Sequence, residues 1–317
     1  NKIRKLFTNL WYRQSRGVLL HERLVSAENS SSVAESISRI TAKTVNGLPL
    51  SEVPFHYRQL FLRKQQYSPE FWVGRSREVK EFELFRSQYR QLRKGGILVT
   101  GERHTGKTYF CEHVAANAPS YIVSPPQGGT TSRRAFYAIL ADSLEAEDKT
   151  WQEALESLPD NSIVIFDNLE LWWSRTENGN VILEIIQKII DKYSDRILFI
   201  ANTGKESYRF MRRVSTIDQA FLGEVRLMPF DAREIETIIM RRHKAAGIPF
   251  SIQGRDEQNY RSLHFARLFT KYFSFSSGNI GITLAAWIAN IIKVEEDMLM
   301  MRYPIIPDDL PLENLEE

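Results

Sequence analysis

Gly101-Glu102-Arg103-His104-Thr105-Gly106-Lys107-Thr108 is the stretch on which the fold turns. It fits Gly-x-x-x-x-Gly-Lys-[Ser/Thr] at every fixed position. Glycine at these positions lets the backbone turn tightly enough for its N–H groups to converge on phosphate oxygens. A lysine in the place of Lys107 reaches the β- and γ-phosphates, and a hydroxyl in the place of Thr108 binds Mg²⁺. The helix expected from Lys107 adds its positive end to the same spot. Gly101 to Thr108, with Tyr109 beside them, are therefore the expected phosphate-contacting residues.

Context agrees with the spacing. Ile97-Leu98-Val99-Thr100 is a short apolar run that reads as a buried strand entering the loop. Further runs at Tyr121–Val123, Ser162–Phe166, Ile197–Ala201 and Val225–Met228 read as strands. Amphipathic helices are expected at Ser76–Arg93, Lys107–Ala118, Ser132–Leu144 and Val181–Tyr193. Continuously apolar strands alternating with helices imply a parallel sheet covered on both faces. After Pro229 the alternation stops, and Ala232–Ala246, Asn259–Phe273 and Ile280–Met298 read as helices. The expected fold is α/β, a P-loop parallel sheet sandwiched by helices, with a C-terminal helical lid and an N-terminal helical extension. Its boundaries are 1–68 for the N-terminal helical region, 69–229 for the P-loop domain, 230–300 for the lid and 301–317 for an acidic tail.

The second half of a phosphate site is expected at the end of the third strand. Ile163-Val164-Ile165-Phe166 delivers Asp167 to the strand's carboxyl edge, where open α/β sheets bind ligands. Asp167 is expected to serve the Mg²⁺ shell together with Thr108. On its own such an aspartate is equally an N-cap for whatever follows.

Composition bounds the alternatives. The chain has 317 residues, 43% hydrophobic and 26% charged, which are globular proportions with room for two domains. Its single cysteine, Cys111, excludes an internal disulfide framework and a cysteine zinc cluster, and fits a reducing, cytoplasmic setting. A net charge of +3, from 42 basic and 39 acidic residues, is not that of a surface built throughout for nucleic acid. No run of 18 apolar residues suggests a membrane span. Asn1–Leu10 is basic and polar and does not read as a signal peptide; a start at Asn rather than Met fits a processed chain or a fragment. Basic residues gather near the start (Lys2, Arg4, Lys5, Arg13, Arg16, Arg23), interleaved with Phe7, Leu10, Trp11, Val18 and Leu19. That segment suits a helix packed on the protein itself, a phosphate backbone or an anionic membrane surface. At the other end, Asp308–Glu317 holds only acids among its charges.

These residues resemble the AAA+ and STAND groups of P-loop ATPases over about Phe71–Asn290. Phe71-Trp72-Val73-Gly74-Arg75-Ser76-Arg77-Glu78 is similar to the family's lead-in, and the resemblance implies that Val73 and Gly74 lie against adenine. Asn202, ending Phe199-Ile200-Ala201-Asn202, falls where the family places a polar sensor for the γ-phosphate or the attacking water. Leu227–Glu234 is similar to the junction into the lid, and Ser277-Gly278-Asn279-Ile280-Gly281 resembles the lid turn, which brings Asn279 to the nucleotide. In the stretch between the sensor strand and the fifth strand, where the family carries a trans-acting arginine, stand Arg209, Arg212 and Arg213; the resemblance implies Arg213, then Arg212.

Two departures matter. The acid that usually follows the Mg²⁺ aspartate is Asn168 here, which leaves Glu170 as the nearest candidate base. The lid turn carries Gly281 where the sensor arginine would stand. Both imply slow hydrolysis, or a switch that reads ATP occupancy. Losing one transition-state stabiliser typically costs about 10²–10³ in rate. The expectation is thus an ATP- and Mg²⁺-binding ATPase whose slow turnover drives conformational change or homo-oligomer assembly; a STAND-like switch and an ATP-dependent nucleic-acid loader are the alternatives. Phe166–Thr176 and Arg241–Gly247 also resemble a bacterial AAA+-like subset found within larger, often membrane-attached chains with an unknown protein partner. Trp172 and Trp173 suit core packing, a subunit face or a groove. His243 reads as a solvated helix-end residue.

Overall fold

A computed structural model describes residues 52–304 except 63–66, 127, 147, 148, 177 and 296. Most of the expected N-terminal helical region and nearly all of the acidic tail lie outside the described residues. The described residues divide into two compact units, one running from Arg75 to Met228 and the other joining the described residues before Arg75 to those after Met228.

In chain order the helices are α1 (Phe55–Leu62), α2 (Ser76–Leu92), α3 (Lys107–Ala115), α4 (Arg133–Ser143), α5 (Trp151–Ser157), α6 (Val181–Tyr193), α7 (Lys205–Val214), α8 (Ala232–Ala246), α9 (Ser262–Ser276) and α10 (Ile280–Ala289). The strands are β1 (Gly96–Gly101), β2 (Ser120–Val123), β3 (Ile163–Phe166), β4 (Leu198–Gly204), β5 (Phe221–Arg226), β6 (Phe250–Ile252), β7 (Arg255–Asp256), β8 (Ile291–Glu295) and β9 (Met298–Met301).

The Arg75–Met228 unit is built on a five-stranded sheet in the order β2-β3-β4-β1-β5, with every pairing parallel. All residues of β1 and β3 are buried, as continuously apolar strands require when helices cover both faces. Helix α6 supplies much of that cover: Ile182, Ile186, Ile189 and Ile190 repeat at helical spacing and all face the core. Each such side chain stabilises the fold by about 1.5–3 kcal/mol. Phe166 and Phe199 stack at 5.9 Å between neighbouring strands, and Phe136 closes on Trp172 edge-on at 5.2 Å.

Two elements here differ from expectation. The fifth strand begins at Phe221 and ends at Arg226, earlier than Val225–Met228. Gly223 and Glu224 conceal it in the sequence, yet a Cβ on Gly223 would fall 2.1 Å from the Phe85 ring of α2. Glycine is there to let a helix pack against the strand. Helix α5 follows a tract with little apolar periodicity, and its capping box, Thr150 with Glu153, starts it.

The second unit joins α1 to α8, α9 and α10 and to a four-stranded sheet in the order β7-β6-β9-β8. Its core centres on fully buried Trp287, whose ring meets those of Phe250 at 5.7 Å, Tyr272 at 5.5 Å and Phe269 at 6.0 Å. The expected helix Ile280–Met298 stops at Ala289. Asn290 ends it, its Nδ2 donating to Ala286 O at 2.8 Å, and Ile291-Ile292-Lys293-Val294 continues as a strand paired antiparallel to β9. β-Branched residues after a helix-stopping asparagine favour that outcome. The helix expected at Asn259–Phe273 runs from Ser262 to Ser276. His243 is also corrected: it is 2% exposed, not solvated. Trp287 Nε1 donates to Tyr57 Oη at 2.7 Å, Tyr57 Oη and His243 Nδ1 lie 2.9 Å apart, and His243 Nε2 sits 2.9 Å from Glu257.

Candidate phosphate-binding site

The loop between β1 and α3 is tightly wound. His104 has φ +65° and Gly106 φ +85°, left-handed values that bend successive amides toward one concavity. A Cβ on Gly101 would fall 2.7 Å from Thr105 Oγ1, so the first glycine of the motif is required for the loop to close. Glu102 O gathers the loop from its other side: it accepts from Thr105 Oγ1 at 2.8 Å and from Lys107 Nζ at 2.9 Å. Lys107 is 7% exposed, and burial lowers its pKa while the nearby carboxylates of Glu170 and Asp167 oppose that shift. Burial, with Arg103 and Lys107 adding to it, also lowers the pKa of His104.

Strand order brings the remaining groups together. β4 lies between β1 and β3, so its carboxyl end stands beside those of both. Asp167, at the end of β3, is fully buried. Its Oδ1 accepts from Thr108 Oγ1 at 2.6 Å and from Asn202 Nδ2 at 2.7 Å, and its Oδ2 accepts from Asn168 Nδ2 at 2.8 Å. Asn202 Oδ1 in turn accepts from Asn168 N at 3.1 Å. Asn168 has φ +50°, a left-handed turn that asparagine tolerates and that ends the strand. Glu170 Oε2 accepts from Gly204 N at 3.1 Å. Trp172, fully buried, donates its indole N–H to Asp167 O at 3.1 Å, and Trp173 packs against the same core. Core packing is therefore the role of Trp172, and half-buried Trp173 lies at the edge of that core. That Trp172 also fixes the backbone of Asp167 is a contact sequence reading missed.

The structure thus gathers Lys107, Thr108, Asp167, Asn168, Glu170 and Asn202 at one sheet edge. Tyr109 lies in the first turn of α3. Arg212 and Arg213 lie elsewhere, on the last turn of α7. Arg212 is 3.9 Å from Asp218, and Arg213 sits over the Phe210 ring at 5.8 Å. Val73, Gly74 and Asn279 belong to the second unit. Gly74 has φ +70°, and Asn279 caps α10 by accepting from Ile282 N at 3.3 Å. Among the described residues, no cluster of three or more His, Cys, Asp or Glu side chains is placed to hold a metal. The donors present, one hydroxyl and one carboxylate at 2.6 Å, match instead an ion that keeps water and phosphate ligands, as Mg²⁺ does.

No protein-family model matches the chain, and no curated protein matches it. Solved structures do. The Aeropyrum pernix ORC2 protein in its ADPNP-ADP complexes superposes with a TM-score of 0.52 at 13% identity, over 74% of this chain and 65% of that one. The ADP form of the same protein gives 0.52 at 13% identity, over 74% and 66%. The Cdc6p of Pyrobaculum aerophilum gives 0.45 at 14% identity, over 68% and 64%. The chain spans a little under two thirds of the length of these proteins. Its fold is that of the AAA+-type P-loop ATPases.

Proposed function

We propose that this chain binds ATP with Mg²⁺ at Gly101–Thr108 and hydrolyses it slowly, the nucleotide state setting its conformation or assembly. The observation that carries this reading is the Thr108 Oγ1–Asp167 Oδ1 contact of 2.6 Å, at the mouth of a wound glycine loop holding a buried lysine. Thr108 and Asp167 would hold Mg²⁺, which when bound neutralises phosphate charge. Lys107 would exchange its bond to Glu102 O for phosphate oxygens, and the amides of Glu102–Lys107 would point at the same group. Asn202 would contact the γ-phosphate or the water attacking it in line. Glu170 would accept that water's proton after leaving Gly204 N. Arg213 or Arg212 from a second copy would complete the site, which makes turnover depend on assembly. Val73, Gly74 and Asn279 enter this reading through the resemblance alone.

A second reading, a switch that holds nucleotide and hydrolyses little, is favoured by one observation. The neutral side chain of Asn168 occupies the usual acid's position, and Glu170 is engaged by a backbone amide. Among the described residues no helix is long and apolar enough to cross a membrane. Phosphate release and calorimetry decide between the readings. ATP turnover that collapses in Lys107→Ala supports the enzyme, and tight binding without release supports the switch. No heat with ATP or ADP plus Mg²⁺ refutes both.

A further inference from the structure

One buried arginine lies behind the phosphate loop. Arg75 is the first residue of the sheet unit, 6% exposed, and adopts a left-handed φ of +62° ahead of α2. Its guanidinium reaches acceptors on three separate stretches of chain. Nη2 donates to Thr105 O at 3.0 Å, and Nη1 donates to Glu78 Oε1 at 3.1 Å and to Met228 O. Glu78, 8% exposed, closes the ring by accepting from Met228 N at 3.3 Å. Met228 is the last residue of the unit, and the next residue but one before it, Arg226, ends β5. A single planar cation therefore joins the unit's two chain ends to the apex of its phosphate loop. Arginine suits this task because its donors diverge in a fixed plane, which an ammonium cannot imitate.

The bond to Thr105 O has a directional consequence. The Thr105 carbonyl and the Gly106 N–H belong to one planar trans peptide, so they point in opposite directions. Gly106, at φ +85°, leaves that peptide little steric restraint of its own. Holding the carbonyl from behind turns the Gly106 N–H away from Arg75. We infer that Arg75 is a positioning residue: it aims the Gly106 amide at a bound phosphate and ties the loop to the exit of β5 through Met228. This rests on the nucleotide-binding reading given above. It differs from a contact to adenine, because the guanidinium acts through the Thr105 carbonyl, a part of the loop that serves phosphate.

Calorimetry with two probes tests it, Mg²⁺-ATP and inorganic tripolyphosphate, the second having no base to recognise. Arg75→Met should weaken both by tenfold or more while circular dichroism keeps its helix signal, and Arg75→Lys should recover part of the loss. Amide exchange at Gly106 should quicken in Arg75→Met. Should that variant not fold, because Glu78 is left buried without its cation, Arg75→Met with Glu78→Met removes both charges and should show the same twin loss. Weakening of ATP with tripolyphosphate unchanged would assign Arg75 to the base and overturn the inference. Binding of both probes within twofold of the unaltered chain would overturn it too, with the proposed function intact. An unaltered chain that binds neither probe refutes the proposed function itself, and this role with it.

Discussion

Asp167→Asn separates what the buried carboxylate does for the fold from what it does for a metal. Charge-assisted hydrogen bonds reach it from Thr108, Asn202 and Asn168, at 2.6, 2.7 and 2.8 Å. Asparagine keeps an oxygen where Oδ1 stood, so the bonds from Thr108 and Asn202 survive as neutral ones. At the other position its NH₂ faces the Asn168 NH₂, and an amide flip of Asn168 restores an acceptor there. Converting a hydrogen bond from charged to neutral costs about 1 kcal/mol, so three conversions cost about 3 kcal/mol. Against that stands the desolvation of a carboxylate with no exposure, several kcal/mol that the amide does not incur. The opposing quantities nearly cancel, and the variant should unfold within about 2 kcal/mol of the unaltered chain. Metal binding has no such compensation, because an amide is a poor ligand for Mg²⁺. Chemical denaturation gives the first quantity, and ATP titration with Mg²⁺ and with EDTA gives the second. The unaltered chain should bind more tightly with Mg²⁺, and Asp167→Asn should bind equally with either. A variant that keeps the Mg²⁺ dependence, or one that loses more than about 4 kcal/mol of stability, would refute this account of the site.

Further variants probe the scaffold. Gly223→Ala places a methyl 2.1 Å from the Phe85 ring and should cost about 1–3 kcal/mol, seen as a lower Tm with the nucleotide affinity unchanged. His243→Ala leaves Tyr57 and Glu257 without their shared buried partner and should cost about 2–4 kcal/mol in urea denaturation. Burial raises the Glu236 carboxyl to about 7, from an ordinary 4.5. Between those values the folded chain keeps a proton that the unfolded chain has lost, so stability falls as pH rises through the window and is flat for this group above it. Glu236→Gln should therefore be more stable than the unaltered chain at pH 8 by about 1–2 kcal/mol, after discounting for partial exposure, and nearly equal at pH 4. Thermal melts at both pH values check this.

The sheet unit was readable because each of its strands but one carries an unbroken apolar stretch of at least three residues. Ile163–Phe166 and Ile97–Thr100 declare themselves, and Asp167 and Thr108 follow at positions that strand–loop geometry fixes. β5 was displaced because Gly223 and Glu224 interrupt its apolar pattern, and the packing reason for the glycine, Phe85, lies far away in sequence. β8 was lost because Ile291, Ile292 and Val294 carry on the apolar pattern of the helix before them, where Asn290 marks the break. His243 misled because its basic neighbours suggest solvent, whereas Tyr57 and Glu257, which account for its burial, stand 186 and 14 residues away. The candidate site was legible as a set of residues. Its wiring was not: nothing local announces that Asn202 bonds both Asp167 and the amide of Asn168, or that Arg75 reaches Thr105.

Asn202 sits on β4, whose register is shared with β1 on one flank and β3 on the other. Side chains on a strand alternate faces, so inserting one residue anywhere between Leu198 and Asn202 would swing the amide to the opposite side of the sheet. The strand thus behaves as a ruler whose length tolerates no error. Drift in this protein should accordingly collect in its connections and spare the count of residues along β4.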